Sequence, residues 1–247
     1  IPMAGRGSRF VDYGYRVAKP MIQVDGQPMV AHAINSHPVQ DKWVFVVRSE
    51  DVERHRVHRI FDELELDYSI ITVDHTTSGQ AATCLLAADD IDDDAELFIS
   101  SCDYRTLFDP QTWQQIRNDK SIDGAIWTTR VKGIPVKNPE AFAYCVTGDD
   151  TGVIDRVVEK KTISPQPNLD PLVIGTFWFR RAADFKHAAR LLIDRNITVN
   201  GEHYVGTSIN NLLEMGQKFV IFDVDQWISF GDPFELEVLE YWREYFG

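Results

Sequence analysis

Residues 5 to 9 read Gly-Arg-Gly-Ser-Arg, directly after the short apolar run of residues 1 to 4. Glycines at 5 and 7 let backbone N–H groups approach anionic oxygens, and the guanidiniums of Arg6 and Arg9 add charge and forked donors. The segment therefore suits phosphate groups. Lys19, beside Pro20, offers a further cation, and Asp103 follows the apolar run Glu96–Ser100. Glu159-Lys160-Lys161 closes another apolar run. Each has a plainer reading. The G-x-G spacing fits an ordinary turn, Arg9 a surface arginine, Asp103 a turn cap, Gln80 an idle helix face, Glu159-Lys160 a solvated strand end, and Tyr204 a core ring. His203 reads as a satisfied histidine. The loop is not a Walker loop, since no Gly-Lys-Ser/Thr follows. It is not the dinucleotide fingerprint either, because Phe10 falls where the third glycine belongs.

The elements that must position these residues alternate. Ile1–Met3 reads as a strand, residues 28–36 as a helix, and Lys42–Val47 as a strand buried on both faces. Residues 51–64 read as one helix with Val57, Ile60, Phe61 and Leu64 on a face. A strand over 68–73, a helix over 79–88, the strand 96–100 and a helix opened by Asp109-Pro110 follow. This rhythm predicts a parallel sheet with right-handed crossovers. The second half reads as strands over 123–129, 142–146, 153–158, 173–179 and 218–222, with helices over 181–195 and 201–215. TGDDTG at 147–152 reads as a hairpin turn. Asp232-Pro233-Phe234-Glu235 opens the last helix with an N-cap, a proline in the first turn and a near capping box. No linker or repeat interrupts the chain.

The chain has 247 residues, 44% hydrophobic, with a formal net charge of −13. That length supports a sizeable core, and the charge repels polyanions, which disfavours nucleic acid and anionic membranes. Three distant cysteines, Cys84, Cys102 and Cys145, have neither metal-ligand nor disulfide spacing and fit a reducing, cytoplasmic setting. No apolar run reaches membrane-spanning length.

The loop 5–9, followed by Ala18-Lys19-Pro20 and then Val24-Asp25-Gly26-Gln27-Pro28-Met29, resembles the signature of the sugar-phosphate nucleotidyltransferases, the pyrophosphorylases. That signature is G-x-G-x-R, then P-K-P, then V-x-G-x-P-M. Ala18 departs from the first proline but keeps the lysine. SGQAAT at 78–83, FISSCDY at 98–104, VVEKK at 157–161 and VIGTFWF at 173–179 follow in the family's order. NGEHYV at 200–205 and WISFGDPFEL at 227–236 resemble its closing region. The likeness covers nearly the whole chain.

The resemblance implies an α/β fold, a Rossmann-like three-layer sandwich with a mixed, mostly parallel sheet of the GT-A-like nucleotidyltransferase kind. It implies one domain over 1–247, with a nucleotide-binding part at about 1–120 and an acceptor-binding part at about 121–247. It implies Mg²⁺-dependent transfer of a nucleoside monophosphate from a nucleoside triphosphate to a sugar phosphate or similar small phosphorylated acceptor, with release of pyrophosphate. Arg9, Lys19 and Asp103 would carry the chemistry, with Asp103 holding Mg²⁺. Ala4, Gly5, Gly7, Ser8, Arg9, Gly79 and Gln80 would hold the nucleotide, and Glu159, Lys160, Gly175 and Tyr204 the acceptor. A homo-oligomer is compatible with this pattern. One departure concerns the metal: many members carry a second Asp before the late glycine, and here Ser229 stands there, leaving Asp223 and Asp225 as other carboxylates. Base and acceptor are not encoded legibly, and acceptor choice falls to the proline-bearing loops 132–142 and 162–172. Two alternatives stay open: a nucleotide-sugar-dependent glycosyltransferase, disfavoured because Ser101-Cys102-Asp103 lacks the first Asp of an Asp-x-Asp motif, and a non-catalytic nucleotide-binding regulatory module.

Overall fold

The computed structural model describes residues 1–131, 136–148 and 151–246. Part of the expected hairpin turn, at 149–150, and part of the first acceptor loop, at 132–135, lie outside the described residues. The chain forms two compact units. One takes residues 1–76, 101–107 and the chain from 227 onward; the other takes residues 77–100 and 108–226.

The first unit is built on a parallel three-stranded sheet with Trp43–Arg48 between Pro2–Met3 and Tyr68–Val73. Phe45, Val46 and Val47 of the central strand are buried, as its unbroken apolar run predicts. The helix expected over 51–64 is two, Ser49–His55 and Val57–Glu63, broken where Arg56 adopts the left-handed conformation, φ 50°. The half after the break buries Val57 and Phe61, whose ring stacks on Phe45 at 3.8 Å. Lys19–Met21 is a single 3₁₀ turn. It leads into the hairpin Gln23–Val24/Gln27–Pro28, whose turn residues Asp25 and Gly26 both have positive φ, as a type I′ turn requires. The buried helix Met29–Asn35 follows. Tyr104–Leu107, not foreseen as a strand, pairs with Gln226–Ser229. A cluster of Phe10, Ile22, Val24, Met29, Phe230 and Leu236 ties the start of the chain to the last helix, Pro233–Phe246.

The second unit holds a six-stranded mixed sheet. Ile154–Glu159, Ala143–Thr147, Leu172–Phe179, Gly124–Thr129 and Phe219–Asp223 lie in that order, and Leu97–Ser100 also pairs with Leu172–Phe179. Phe219–Asp223 runs parallel to Gly124–Thr129, and the other ladders are antiparallel. Helices Gln80–Leu85, Ala182–Asp194 and Val205–Glu214 share a core with Phe177 and Phe179. Trp178 alternates to the opposite face, where Trp113 of helix Pro110–Asn118 meets it and Trp127. Helices thus cover both faces, giving three layers. Asp109 caps its helix as expected, accepting from the N–H groups of Gln111 and Thr112. Among the described residues, no helix is long and apolar enough to cross a membrane.

Candidate functional site

In the first unit the strand Pro2–Met3 ends in the loop of residues 5–9. Gly7 has φ 59° and precedes the short helix Ser8–Asp12, accepting from the N–H groups of Phe10 and Val11. A Cβ on Gly7 would sit 3.2 Å from Lys19 Cβ, whereas one on Gly5 would meet nothing within 4 Å. Gly7 is therefore required by backbone conformation and packing. Gly5 borders open space, into which a side chain would project. Gly5, Gly7, Ser8, Arg9, Lys19 and Cys102 line a pocket of about 250 Å³. Arg6 turns aside: its Nε donates to Thr76 Oγ1 at 2.9 Å, and it lines a separate groove of about 540 Å³ with Arg48, Asp74 and His75. Arg9 is 63% exposed and stands 3.6 Å from Asp232.

Lys19 is the most constrained cation of this unit's pocket. Its ammonium donates to Asp103 Oδ2 and, at 3.2 Å, to Gly231 O, and it lies over the Phe10 ring at 5.5 Å. The N–H of Ala18 donates to His55 Nε2 at 3.3 Å. Ala18 thus makes a bond that the family's proline has no N–H to make. Asp103 is held by its backbone: its carbonyl accepts from Phe230 N at 2.8 Å, beside the paired strands Tyr104–Leu107 and Gln226–Ser229. Burial pushes the Cys102 thiol up to about 12, so it stays protonated and inert.

Glu235 stands at the same corner, which its place in the sequence does not foretell. Its place in the first turn of the last helix reads as a capping box, but the side chain turns away from the cap. Ser229 Oγ donates to Glu235 Oε2 at 2.6 Å and accepts from Gly231 N at 3.1 Å. Burial raises the Glu235 carboxyl, partly offset by the Ser229 bond, with the charges of Asp232 and Asp103 adding to the rise. Asp232 caps the helix by accepting from Phe234 N at 3.0 Å. Asp232 thus caps the helix as the sequence predicts, and its other oxygen stands 3.6 Å from Arg9.

In the second unit, Glu159, Lys160 and Tyr204 come together. Lys160 has φ 54°, donates its N–H to Phe142 O and its ammonium to Ala141 O, and lies 5.3 Å over the Tyr204 ring. A Cβ on Gly206 would fall 2.5 Å from Glu159 Oε1, so Gly206 makes room for the carboxylate. Gly175 lies in Leu172–Phe179 with φ 89°, inside the register irregularity between Val173 and Phe177. Gly79 has φ 134°, and a Cβ there would lie 2.6 Å from His203 O, so SGQ and EHY can pack only through a glycine. Ala81 N donates to His203 O, His203 N to Ser78 O, and His203 Nδ1 lies 3.0 Å from Ser78 Oγ. His203 is buried and Gln80 begins the helix Gln80–Leu85. The loop 162–172 is braced by Ser164 Oγ donating to Asp170 at 2.8 Å.

Burial pushes the Glu159 carboxyl up to about 7, against the lowering effect of Lys160. Folding therefore favours its neutral form. The stability this lends is complete below the ordinary value of 4.5 and is lost as pH rises through about 7, a swing of order 3 kcal/mol. Glu159→Gln should flatten that slope, so the variant gains on the parent between pH 5 and pH 8 in chemical denaturation. Parallel pH profiles for the two proteins contradict this.

The arrangement offers cations around a small pocket, a carboxylate beside them, and in the other unit a half-buried carboxylate–lysine–tyrosine group. The profile of the MobA-like NTP transferase domain matches residues 1–197, and the chain belongs to that family. It is therefore a nucleotidyltransferase by kinship. It is 26% identical over 237 residues to a UTP–glucose-1-phosphate uridylyltransferase of Haloferax volcanii, covering 93% of this chain and 89% of that protein. Its fold is similar to a nucleoside-diphosphate-sugar pyrophosphorylase from Vibrio cholerae, with TM-score 0.79, 22% identity, and 96% of this chain and 97% of that one covered. It is also similar to an inositol-1-phosphate CTP transferase from T. maritima, with TM-score 0.73, 15% identity, and 97% and 91% covered.

Proposed function

We propose that this member of the MobA-like NTP transferase family moves a nucleoside monophosphate from a nucleoside triphosphate to the phosphate of a sugar phosphate or similar small acceptor, releasing pyrophosphate, with Mg²⁺ as its cofactor. The observation that carries this reading is the Lys19–Asp103 pair beside the pocket of the loop 5–9. An acceptor phosphate oxygen forms a bond to the α-phosphorus. The bond to the bridging oxygen breaks, and its electron pair leaves with pyrophosphate. Such a transfer needs positioning and charge neutralisation more than covalent catalysis.

Lys19 would neutralise the α-phosphate where the two anions meet, and Arg9 with the amides of Gly5, Gly7 and Ser8 would take the β- and γ-phosphates. Ala4, Gly79 and Gln80 would contact the base. Asp103 would hold Mg²⁺, whose charge when bound offsets that of the phosphates. A cradle of hard oxygens supports that assignment. A Cβ on Gly231 would lie 3.2 Å from Asp103 Oδ2 and from Ser229 Oγ, and the Lys19 ammonium already stands on Asp103 as a cation. Glu159 would accept from acceptor hydroxyls, Lys160 and Tyr204 would flank them, and the irregular strand at Gly175 would leave room. The three thiols and the triphosphate requirement point to work in the cytoplasm.

Incubating the full chain with CTP, UTP, dTTP or GTP against a panel of sugar phosphates, with Mg²⁺, should release pyrophosphate for at least one pair. Silence across the whole matrix refutes the reading. Within the loop, Arg9→Ala should slow both the forward reaction and pyrophosphorolysis by about 10²-fold, the scale of one lost charge-stabilising donor. Arg6→Ala should cost less than tenfold, because Arg6 is engaged with Thr76 and lines the other groove. The reverse ranking would show that the phosphates do not lie against Arg9.

A further inference from the structure

The chain lacks the second aspartate that the family's pattern places before the late glycine, and the structure shows what stands around that position. Three oxygens surround one point beside Gly231. From a Cβ built there, Asp103 Oδ2 and Ser229 Oγ are each 3.2 Å away and Glu235 Oε2 is 3.8 Å away. Because residue 231 is glycine, no Cβ stands between these three oxygens. Ser229, a neutral hydroxyl, cannot replace a carboxylate's charge, but it donates to Glu235 Oε2 at 2.6 Å and so turns that side chain toward the cradle. The geometry has local causes. Asp232 and Pro233 start the last helix, and Glu235 falls in its first turn, on the side of the strand end at Ser229. Leu236, fully buried in the cluster with Phe10 and Phe230, fixes the helix's rotation.

We propose that Glu235 is the second carboxylate for the divalent cation in this chain, paired with Asp103, and that Ser229 is its positioning residue. The carboxylate that the family's pattern carries at the strand end is here supplied from the following helix. This rests on the reading of Asp103 as a metal-holding residue. The donor set of two carboxylates and a hydroxyl is hard and anionic, as Mg²⁺ and Mn²⁺ prefer, and Mg²⁺ commonly keeps several waters, so that donors gathered at one corner can hold it directly or through water. The Lys19 ammonium on Asp103 and Gly231 O shows that this corner already attracts positive charge. Glu235 adds a second negative group to it.

The test reads metal binding rather than turnover. Electron paramagnetic resonance counts free Mn²⁺ during titration of the full chain, alone and with each of the four triphosphates. Glu235→Gln should weaken Mn²⁺ binding at least tenfold, and Asp103→Asn at least as much. Ser229→Ala should weaken it less. Ser229→Asp in the Glu235→Gln background should restore it, because that variant returns a carboxylate to the strand end. Circular dichroism melts separate lost affinity from lost fold, and the rescue variant answers even if Glu235→Gln is destabilised. Mn²⁺ affinity unchanged in Glu235→Gln while Asp103→Asn loses it overturns the assignment and leaves Glu235 a helix residue bonded to Ser229. Absence of Mn²⁺ binding to the parent protein under all conditions overturns it as well. Mn²⁺ binding that depends on Glu235 in a protein that releases no pyrophosphate would instead refute the proposed function and leave the metal assignment standing.

Discussion

Asp103→Asn should lower turnover by about 10³-fold, equivalent to about 4 kcal/mol of transition-state stabilisation, while the protein stays folded. The amide keeps the size of the side chain, and the Asp103 backbone remains anchored by Phe230 N. What disappears is the negative charge that faces Lys19 and the cradle beside Gly231. The loss should therefore fall on kcat at saturating triphosphate, and raising Mg²⁺ should recover only part of it. Thermal melting should shift by a few degrees, because the Lys19–Asp103 pair is partly exposed and solvent screens it. Near-parental turnover at limiting Mg²⁺ would remove Asp103 from the chemistry and return it to the role of a turn residue.

Lys19→Met should cut turnover by about 10²- to 10³-fold and change triphosphate KM by only a few-fold. The two phosphates crowd most in the transition state, so a charge placed at their junction acts mainly there. Methionine retains most of the stem that packs near Phe10 and Gly7. The structure also supplies the rival account, in which Lys19 merely ties Asp103 to Gly231 O. The two accounts separate in a double-mutant cycle on folding stability and on kcat. A purely structural lysine predicts loss of melting temperature with kcat intact. A rise confined to the triphosphate KM would likewise contradict the assignment.

Much of this molecule is local and was legible in the sequence. The strand Trp43–Arg48 follows from an unbroken apolar run, the helix Pro110–Asn118 from Asp109 and Pro110, and the hairpin turn from Asp25-Gly26. In each, neighbouring residues supply the cap, the φ angles or the periodicity. The α/β class and the family follow from blocks of residues in order, which needs no coordinates.

What the sequence could not show depends on separations of many residues. Arg56 takes a left-handed conformation and breaks a periodic helix, and the half after it buries Val57 and Phe61 in one cluster with Phe45, a tertiary packing that local propensity does not show. Gly79 is explained only by the backbone of His203, and the pairing of Ala18 N with His55 spans 37 positions. The surroundings of Asp103 are the clearest case. Glu235 has the sequence signature of a helix cap, and local rules assign it to that role. It becomes a neighbour of Asp103 only because Tyr104–Leu107 pairs with Gln226–Ser229 and Leu236 is drawn into the core with Phe10. Residue types and their order determine which charges the chain carries and which elements bear them. Which carboxylates share one corner is decided by strand pairing and burial, since electrostatic interaction depends on distance in space, not along the chain.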